Sequence, residues 1–323
     1  MAKSIYIFLF FCLMAITASA QQDAQYSQYM FNSLVINPAY AGYKESLNLS
    51  LLHRNQWVGL QGAPKTQSFI IDDAFSKKQT VGLGLSVVNE KIGLHSQTSA
   101  YANYAYRLPV GANDERLSFG LALGAVQYVL NSDQVLVEDP SDPTIGTGKQ
   151  SYFSPEARFG VFFNTDQFYA GFSISNLLSP FIDPHKIGQN PFFAPGRHYF
   201  LTSGFLADIN DDIKIKPSFM IKEDTKGPTN IDLNTFFLFH ETVWLGASYR
   251  TGLNWKKTDV GKGLRKNSVV GAVELFAAKK FRLGYAYDYS LSGLAAQTSG
   301  THEISLGMVI GKRNPIILNP RYF

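Results

Sequence analysis

From residue 46 to residue 311 the chain keeps a two-residue rhythm in which apolar side chains alternate with polar or small ones. Successive side chains of an extended strand point to opposite faces, so the rhythm describes a sheet with one apolar and one polar face. Leu47, Leu49 and Leu51 alternate with Asn48 and Ser50, and Val81, Leu83, Leu85 and Val87 with Gly82, Gly84 and Ser86. Leu117, Phe119, Leu121 and Leu123 alternate with Ser118, Gly120, Ala122 and Gly124, and Ile213, Ile215, Pro217, Phe219 and Ile221 with Lys214, Lys216, Ser218 and Lys222. The same pattern runs through 281–288 and 303–310. It predicts strands near 46–54, 66–75, 80–88, 98–108, 117–130, 153–163, 168–176, 198–207, 213–221, 231–239, 243–250, 268–276, 281–289 and 302–311. There are fourteen of them, and single-chain bacterial outer-membrane barrels have even numbers.

The connections sort by length. Those after even-numbered strands (76–79, 109–116, 164–167, 208–212, 240–242 and 277–280) run from 3 to 8 residues. Those after odd-numbered strands (55–65, 89–97, 131–152, 177–197, 222–230, 251–267 and 290–301) run from 9 to 22. Outer-membrane barrels have short periplasmic turns and longer extracellular loops, a sorting that a soluble sandwich has no reason to adopt. The expected fold is all-β, a transmembrane outer-membrane barrel of about fourteen antiparallel strands with both termini periplasmic.

Composition agrees. Aromatic residues make up 14% of the chain and charged residues only 17%. Beyond residue 20 no apolar stretch approaches the roughly 18 residues of a membrane helix. The first twenty residues read as a secretory signal: Lys3, an apolar run from Ile5 to Ile16, then Ala18-Ser19-Ala20 for cleavage. Cys12 is the only cysteine and leaves with that signal, which removes disulfides and thiolate metal sites. Without Lys3, 28 of the 29 basic residues remain against 25 acidic ones, too small a surplus to suggest nucleic acid. The expected organisation is a signal peptide at 1–20, a pre-barrel periplasmic segment at 21–45, a barrel at 46–311 and a C-terminal periplasmic tail at 312–323.

The alternation assigns the two faces. Apolar residues should meet lipid, while Arg54, Asp72, Arg107, Glu156, Arg158, Lys214, Lys216, Asp232, Arg250, Glu274, Arg282, Asp288 and Glu303 should point inward and pair across the barrel. Tyr101, Tyr104, Tyr106, Tyr128, Trp244 and Tyr249 fit interface girdles as well as ordinary strand composition.

Chemistry is poorly supported, and no enzyme is expected. The six histidines, His53, His95, His185, His198, His240 and His302, are scattered without metal-ligand spacing. Gly146-Thr147-Gly148-Lys149 lacks the first glycine and the hydroxyl residue of a phosphate loop. Asp208, Asn210 and Asp212 have calcium-loop spacing, but Ile213 occupies the position of the turn glycine. No catalytic residue, cofactor or metal is expected. Interaction is better supported: 131–152 and 177–197 hold Pro140, Pro143, Pro180, Pro184, Pro191 and Pro195, and the second adds Phe181, Phe192 and Phe193. These phenylalanines either fold inward or meet a partner. Loop 251–267 carries Lys256, Lys257, Lys262, Arg265 and Lys266, more simply a solvated loop than a site for an acidic partner.

Ahead of the first strand, Tyr26, Tyr29, Met30, Ser33 and Leu34 sit at helical spacing before a break at Asn37-Pro38. This predicts a short amphipathic helix, lying in the periplasmic mouth or entering the lumen. The segment reads Gln25-Tyr26-Ser27-Gln28-Tyr29-Met30-Phe31-Asn32, then Asn37-Pro38-Ala39-Tyr40-Ala41-Gly42. Arg54-Asn55-Gln56-Trp57-Val58-Gly59-Leu60, the stretch from Gly62 to Phe69, and Asn319-Pro320-Arg321-Tyr322-Phe323 follow. These blocks resemble the PorP/SprF family of type IX secretion membrane proteins, with Gln25, Tyr26, Tyr29, Asn32, Asn37, Pro38, Ala39, Gly42, Arg54, Gln56 and Trp57 as the signature. The resemblance implies an outer-membrane component of the type IX secretion and gliding apparatus. Its partners would be secretion components, outer-membrane lipid and a secreted adhesin-like cargo with a type B C-terminal domain. SprF-type members resemble dedicated cargo partners, PorP-type members a core component tied to the periplasmic motor. The competing expectation is a passive or lipophilic small-molecule channel.

Overall fold

A computed structural model of the chain describes residues 25–76, 78–111, 115–131, 148–181, 196–224, 227–254, 263–277 and 280–311. Strands form where the alternation runs: β1 Leu47–Asn55, β2 Lys65–Phe75, β3 Val81–Ile92, β4 His95–Pro109, β5 Arg116–Asn131, β6 Lys149–Asn164, β7 Phe168–Ser175 and β8 His198–Phe205. They continue with β9 Ala207–Asp208, β10 Ile213–Glu223, β11 Thr229–Phe239, β12 Val243–Asn254, β13 Gly263–Ala277, β14 Phe281–Ser290 and β15 Thr301–Ile310. β8 and β9 are one span broken at Leu206, and both pair with β10. The segments therefore make the fourteen expected staves. Every neighbouring pair is antiparallel, and β1 closes the ring on β15, from Leu47 opposite Ile310 to Asn55 opposite His302.

Burial is inverted relative to a water-soluble protein. Leu51, Leu83, Leu121, Leu123, Leu245 and Leu306 lie exposed on the outer surface, while Arg54, Arg107, Glu156, Glu274 and Glu303 are buried inside. Only a hydrocarbon surround makes that arrangement favourable, because a leucine-covered surface is costly in water and lipid-exposed charge is costly in a bilayer. Twelve of the thirteen charges expected inside are buried. The exception, Lys214, sits half-buried near the β9 end and pairs with Asp208.

Three expectations need correction. The connection at 89–97 is not a loop: β3 and β4 stay paired through Asn89 opposite Thr98 and Ile92 opposite His95, leaving only Gly93-Leu94 as the turn. The ladder there continues past the lipid, where neither face needs apolar residues, so the rhythm fades while the strand goes on. The clean separation of connection lengths fails at this hairpin, although the same end still carries the long connections at 132–148 and 176–197. Tyr101, Tyr128 and Trp244 are buried on the inner face and do not belong to a girdle, unlike the exposed Tyr104, Tyr106 and Tyr249. Arg158 lies over the Tyr101 ring, its guanidinium carbon 3.8 Å from the centroid. Finally, the segment before β1 forms three separate 3-10 turns in place of one amphipathic helix.

The stretch expected to be a signal peptide (1–20), the expected C-terminal tail (312–323), and Pro140, Pro143, Pro184, Pro191, Phe192, Phe193, Pro195, Lys256, Lys257 and Lys262 of the loops lie outside the described residues. Phe181 is described and is 79% exposed, with the Arg197 guanidinium 5.8 Å from its ring. A charge on the outer wall tests the lipid assignment. Leu121→Arg on β5 should cost roughly 2–4 kcal/mol of stability in lipid vesicles, measured by denaturant unfolding, while Leu121→Met stays near wild type.

Candidate functional site

The interior is filled by residues 25–45. β1 starts at Leu47 at the short-turn mouth and ends at the long-connection mouth, so heights along the lumen can be read from the strands. The described part of the thread starts at the long-connection mouth, where the carbonyl of Tyr26 accepts from Arg250 Nη2 at 3.1 Å. The backbone N–H groups of Ser27 and Gln28 donate to the Glu303 carboxylate at 2.9 and 2.6 Å. Midway, Asn32 donates to Ser68 at 2.9 Å, and Asn234 donates to the Tyr29 hydroxyl at 2.5 Å. Lower still, Arg158 donates to the Val35 carbonyl at 2.6 Å and Ser173 to the Ile36 carbonyl at 2.8 Å. At the short-turn mouth the Gly42 N–H meets Asp72 at 3.0 Å and Glu45 pairs with Arg107 at 3.0 Å. The segment thus descends the whole lumen before β1 climbs back. Of the two places open to it, the mouth or the lumen, the lumen is the one occupied. Gln25 and Gly311 lie at opposite mouths, which departs from a segment placed before the barrel on the side of the C-terminal strand end.

Why does this sequence thread in short turns? Asn37 is extended, its carboxamide oxygen accepts from the Ala39 N–H at 2.9 Å, and Pro38 occupies the first position of the turn, where a missing N–H costs nothing. Tyr26, Tyr29, Met30, Phe31, Leu34, Val35, Tyr40 and Tyr43 radiate from the thread and are all buried against inward side chains such as Phe162, Phe200 and Phe236. A regular helix would present one apolar stripe, but a thread surrounded by wall needs contacts on every side.

The wall is cut to admit it. Gly82 on β3, Ala105 on β4, Gly120 on β5 and Gly160 on β6 stand opposite one another in a continuous cross-strand row. A Cβ on Gly82 would come 1.9 Å from the Ala41 carbonyl oxygen, one on Gly120 2.0 Å from the Ala39 nitrogen, and one on Gly160 2.0 Å from the Asn37 Oδ1. Gly284 on β14 likewise leaves room for Gln28. Residues 37–41 run so close to the three glycines of this row that only hydrogen fits at those positions.

Near the long-connection mouth the thread is pinned by charge. Arg54 of β1 donates to Asp288 at 2.7 Å, to Glu303 at 2.9 Å and to Ser27 Oγ at 2.7 Å. Ser27 Oγ in turn donates to Asp288 at 2.6 Å, and Arg250 pairs with Asp232 at 2.9 Å and reaches Asp288 at 3.4 Å. Every charge here is buried and paired, the condition under which buried ions are tolerable. Lower in the lumen Arg282 faces Glu274 at 3.6 Å. Above the pinned residues a vestibule of about 480 Å³ opens, floored by Gln25, Arg54, Arg250 and Asp288 and walled by Gln56, Trp57, Asn230 and Thr301 among others. Below it, two cavities lined by the thread among the described residues are about 20 Å³ each, room for roughly a single water.

The signature residues come together. Tyr26, Tyr29, Asn32, Asn37, Pro38, Ala39 and Gly42 are all buried in the thread, Gly42 with φ of 70°. Gln25 and Arg54 lie at its upper end, and Gln56 and Trp57 face the vestibule above them. Trp57 has φ of 45° and its N–H donates to Thr301 at 3.1 Å, which ties this connection to β15. Sequence reasoning missed Ser27 and Gln28 as anchors and the glycine row as a seat. The available signal was glycine at the small-residue phase of β3, β5 and β6.

Comparison with known proteins adds a family. The family described as type IX secretion system membrane protein PorP/SprF matches residues 18–308. None of the curated proteins matches the chain. Among solved structures it is similar to the Acinetobacter baumannii outer membrane protein Omp33 at 10% identity and a TM-score of 0.44, covering 83% of this chain and 100% of that one. It is also similar to a deletion mutant of the monoaromatic hydrocarbon channel TodX at 11% identity and a TM-score of 0.45, covering 86% and 92%.

Two substitutions test the seating. Gly120→Val should push residues 37–41 off the wall and make the thread sensitive to protease, with the barrel's heat-shifted gel mobility retained; Gly271→Val, where nothing stands within 4 Å of the added Cβ, should change neither. Arg54→Met leaves Asp288 and Glu303 short of a partner and should cost about 3–5 kcal/mol in unfolding experiments.

Proposed function

The chain belongs to the PorP/SprF family of type IX secretion system membrane proteins, and from that premise we propose that it works by binding and without chemistry. In this reading it is an outer-membrane component of the secretion and gliding machinery that supports export or surface attachment of a secreted, adhesin-like protein with a type B C-terminal domain. The long-connection mouth faces outward and meets the cargo. The short-turn mouth meets periplasmic components of the apparatus.

The observation that carries the reading is the filled lumen. Among the described residues the cavities beside the thread are about 20 Å³ each, too small for a solute to pass, so the useful surfaces of such a barrel are its mouths and rim. The outward mouth offers the 480 Å³ vestibule and, in the long connection at 176–197, the exposed Phe181. The channel reading requires the thread to leave, and the thread is hydrogen-bonded along its length to staves on several sides, among them β2, β6, β7, β11, β12 and β15.

Two measurements test this. Purified full-length protein in planar bilayers should stay electrically silent; a large, steady current from the wild type would favour the channel. Deleting 177–197 should abolish retention of the cargo on the cell surface while the heat-shifted gel mobility of the barrel persists. Wild-type retention in that variant would remove the cargo role from this loop.

A further inference from the structure

The direction of the thread has a consequence for topology. Gln25 is partly exposed on the floor of the vestibule, at the end of the barrel where β1 finishes and β15 begins. Ser27 and Gln28 are fixed to Glu303, two residues from the start of β15, and Tyr26 is fixed to Arg250. From there the backbone only descends, past Ser68, Val161 and Asp72, to the Glu45–Arg107 pair. For the chain ahead of Gln25 to leave by the short-turn mouth it would have to run back down a lumen that residues 25–45 already fill. The vestibule, in contrast, is open and lined with groups that suit a polypeptide backbone: the carboxamides of Gln25, Gln56, Asn230 and Asn267 and the hydroxyls of Ser290 and Thr301.

We infer that the stretch preceding Gln25 emerges on the outer side of the membrane, through this vestibule, and that the amide- and hydroxyl-lined mouth is a docking surface for extended polypeptide. Its occupant is the chain's own segment 21–24, between the expected signal and the thread. The inference rests on the proposed outward orientation of the long-connection mouth. It makes the N-terminal stretch a surface feature, positioned beside any cargo held by the long connections, in place of a handle for periplasmic machinery.

Cysteine is otherwise absent after Cys12, so in a Cys12→Ser background a single thiol reports its own location. Three full-length variants are compared on intact cells with a membrane-impermeant maleimide: Gln25→Cys, Gln61→Cys in the β1–β2 connection, and Lys78→Cys in the exposed β2–β3 turn. Expected is labelling of Gln25→Cys and Gln61→Cys on intact cells, and of Lys78→Cys only after permeabilisation. If Gln61→Cys labels and Gln25→Cys requires permeabilisation, the inference is overturned while the outward orientation stands. If Lys78→Cys labels on intact cells and Gln61→Cys does not, the orientation itself fails and takes the inference with it. An epitope inserted directly ahead of Gln25 decides the case in which the Gln25→Cys thiol is too enclosed to react: antibody binding to intact cells supports the inference, and binding only after permeabilisation overturns it.

Discussion

The closed ladder between β1 and β15 is the constraint from which the rest of the structure follows. Hydrocarbon offers no hydrogen-bond partner, so an unpaired strand edge within the bilayer leaves a row of costly N–H and C=O groups. Fourteen staves paired all round leave none. Closure then fixes the two faces, because each stave must present apolar side chains outward and has only its inner face for everything else. Arginine, glutamate and asparagine accumulate inside because the outer face excludes them. In this barrel that interior is occupied by residues 25–45, which supply both backbone groups and apolar side chains to it.

Much of this was legible in the residues. The alternation located all fourteen staves, since lipid imposes a strict period of two on whatever crosses it. It also marked Arg54, Asp288 and Glu303 as interior. What it did not give was partnership: Arg54 bridges Asp288 and Glu303 directly, Ser27 and Gln28 add donors to the same carboxylates, and a residue more than two hundred positions away leaves no trace in strand periodicity. Tyr101 and Trp244 show the opposite failure. Both look like interface aromatics by type, yet their phase along β4 and β12 faces the lumen, and phase outranks residue type. At the β3–β4 hairpin the pairing runs on through Asn89, Glu90 and Lys91 without apolar alternation, so periodicity alone ends the strand too early.

The thread posed a different problem. Helical spacing of Tyr26, Tyr29, Met30, Ser33 and Leu34 suggested one apolar stripe, the right inference for a segment packed on a single surface. Inside a barrel the surroundings are cylindrical, and short turns that rotate side chains to all sides fill it better. Glycine on the wall carries the matching half of that information. Gly82, Gly120 and Gly160 read locally as small partners in an alternation, while their shared level across β3 to β6 becomes visible only with the strand register. Glycine weakens a strand, so three of them beside Ala105 in one row describe a groove shaped for a backbone that passes at contact distance.

Closure and filling are also coupled to each other. Arg54 stands directly opposite Glu303 across the β1–β15 seam, where the first and last staves meet, and it reaches Asp288 on the next stave as well. The same Glu303 carboxylate receives the Ser27 and Gln28 N–H groups. A seam without the thread would leave that carboxylate missing two donors in a buried site, and a thread without the seam would have its upper anchor split between the two ends of the chain. Each therefore raises the stability of the other, which is the behaviour of a network whose members cannot be deleted additively. The thread precedes β1, and β15 is the last stave to be made. The network is thus complete only when the whole chain is present and the ring has shut around its own beginning.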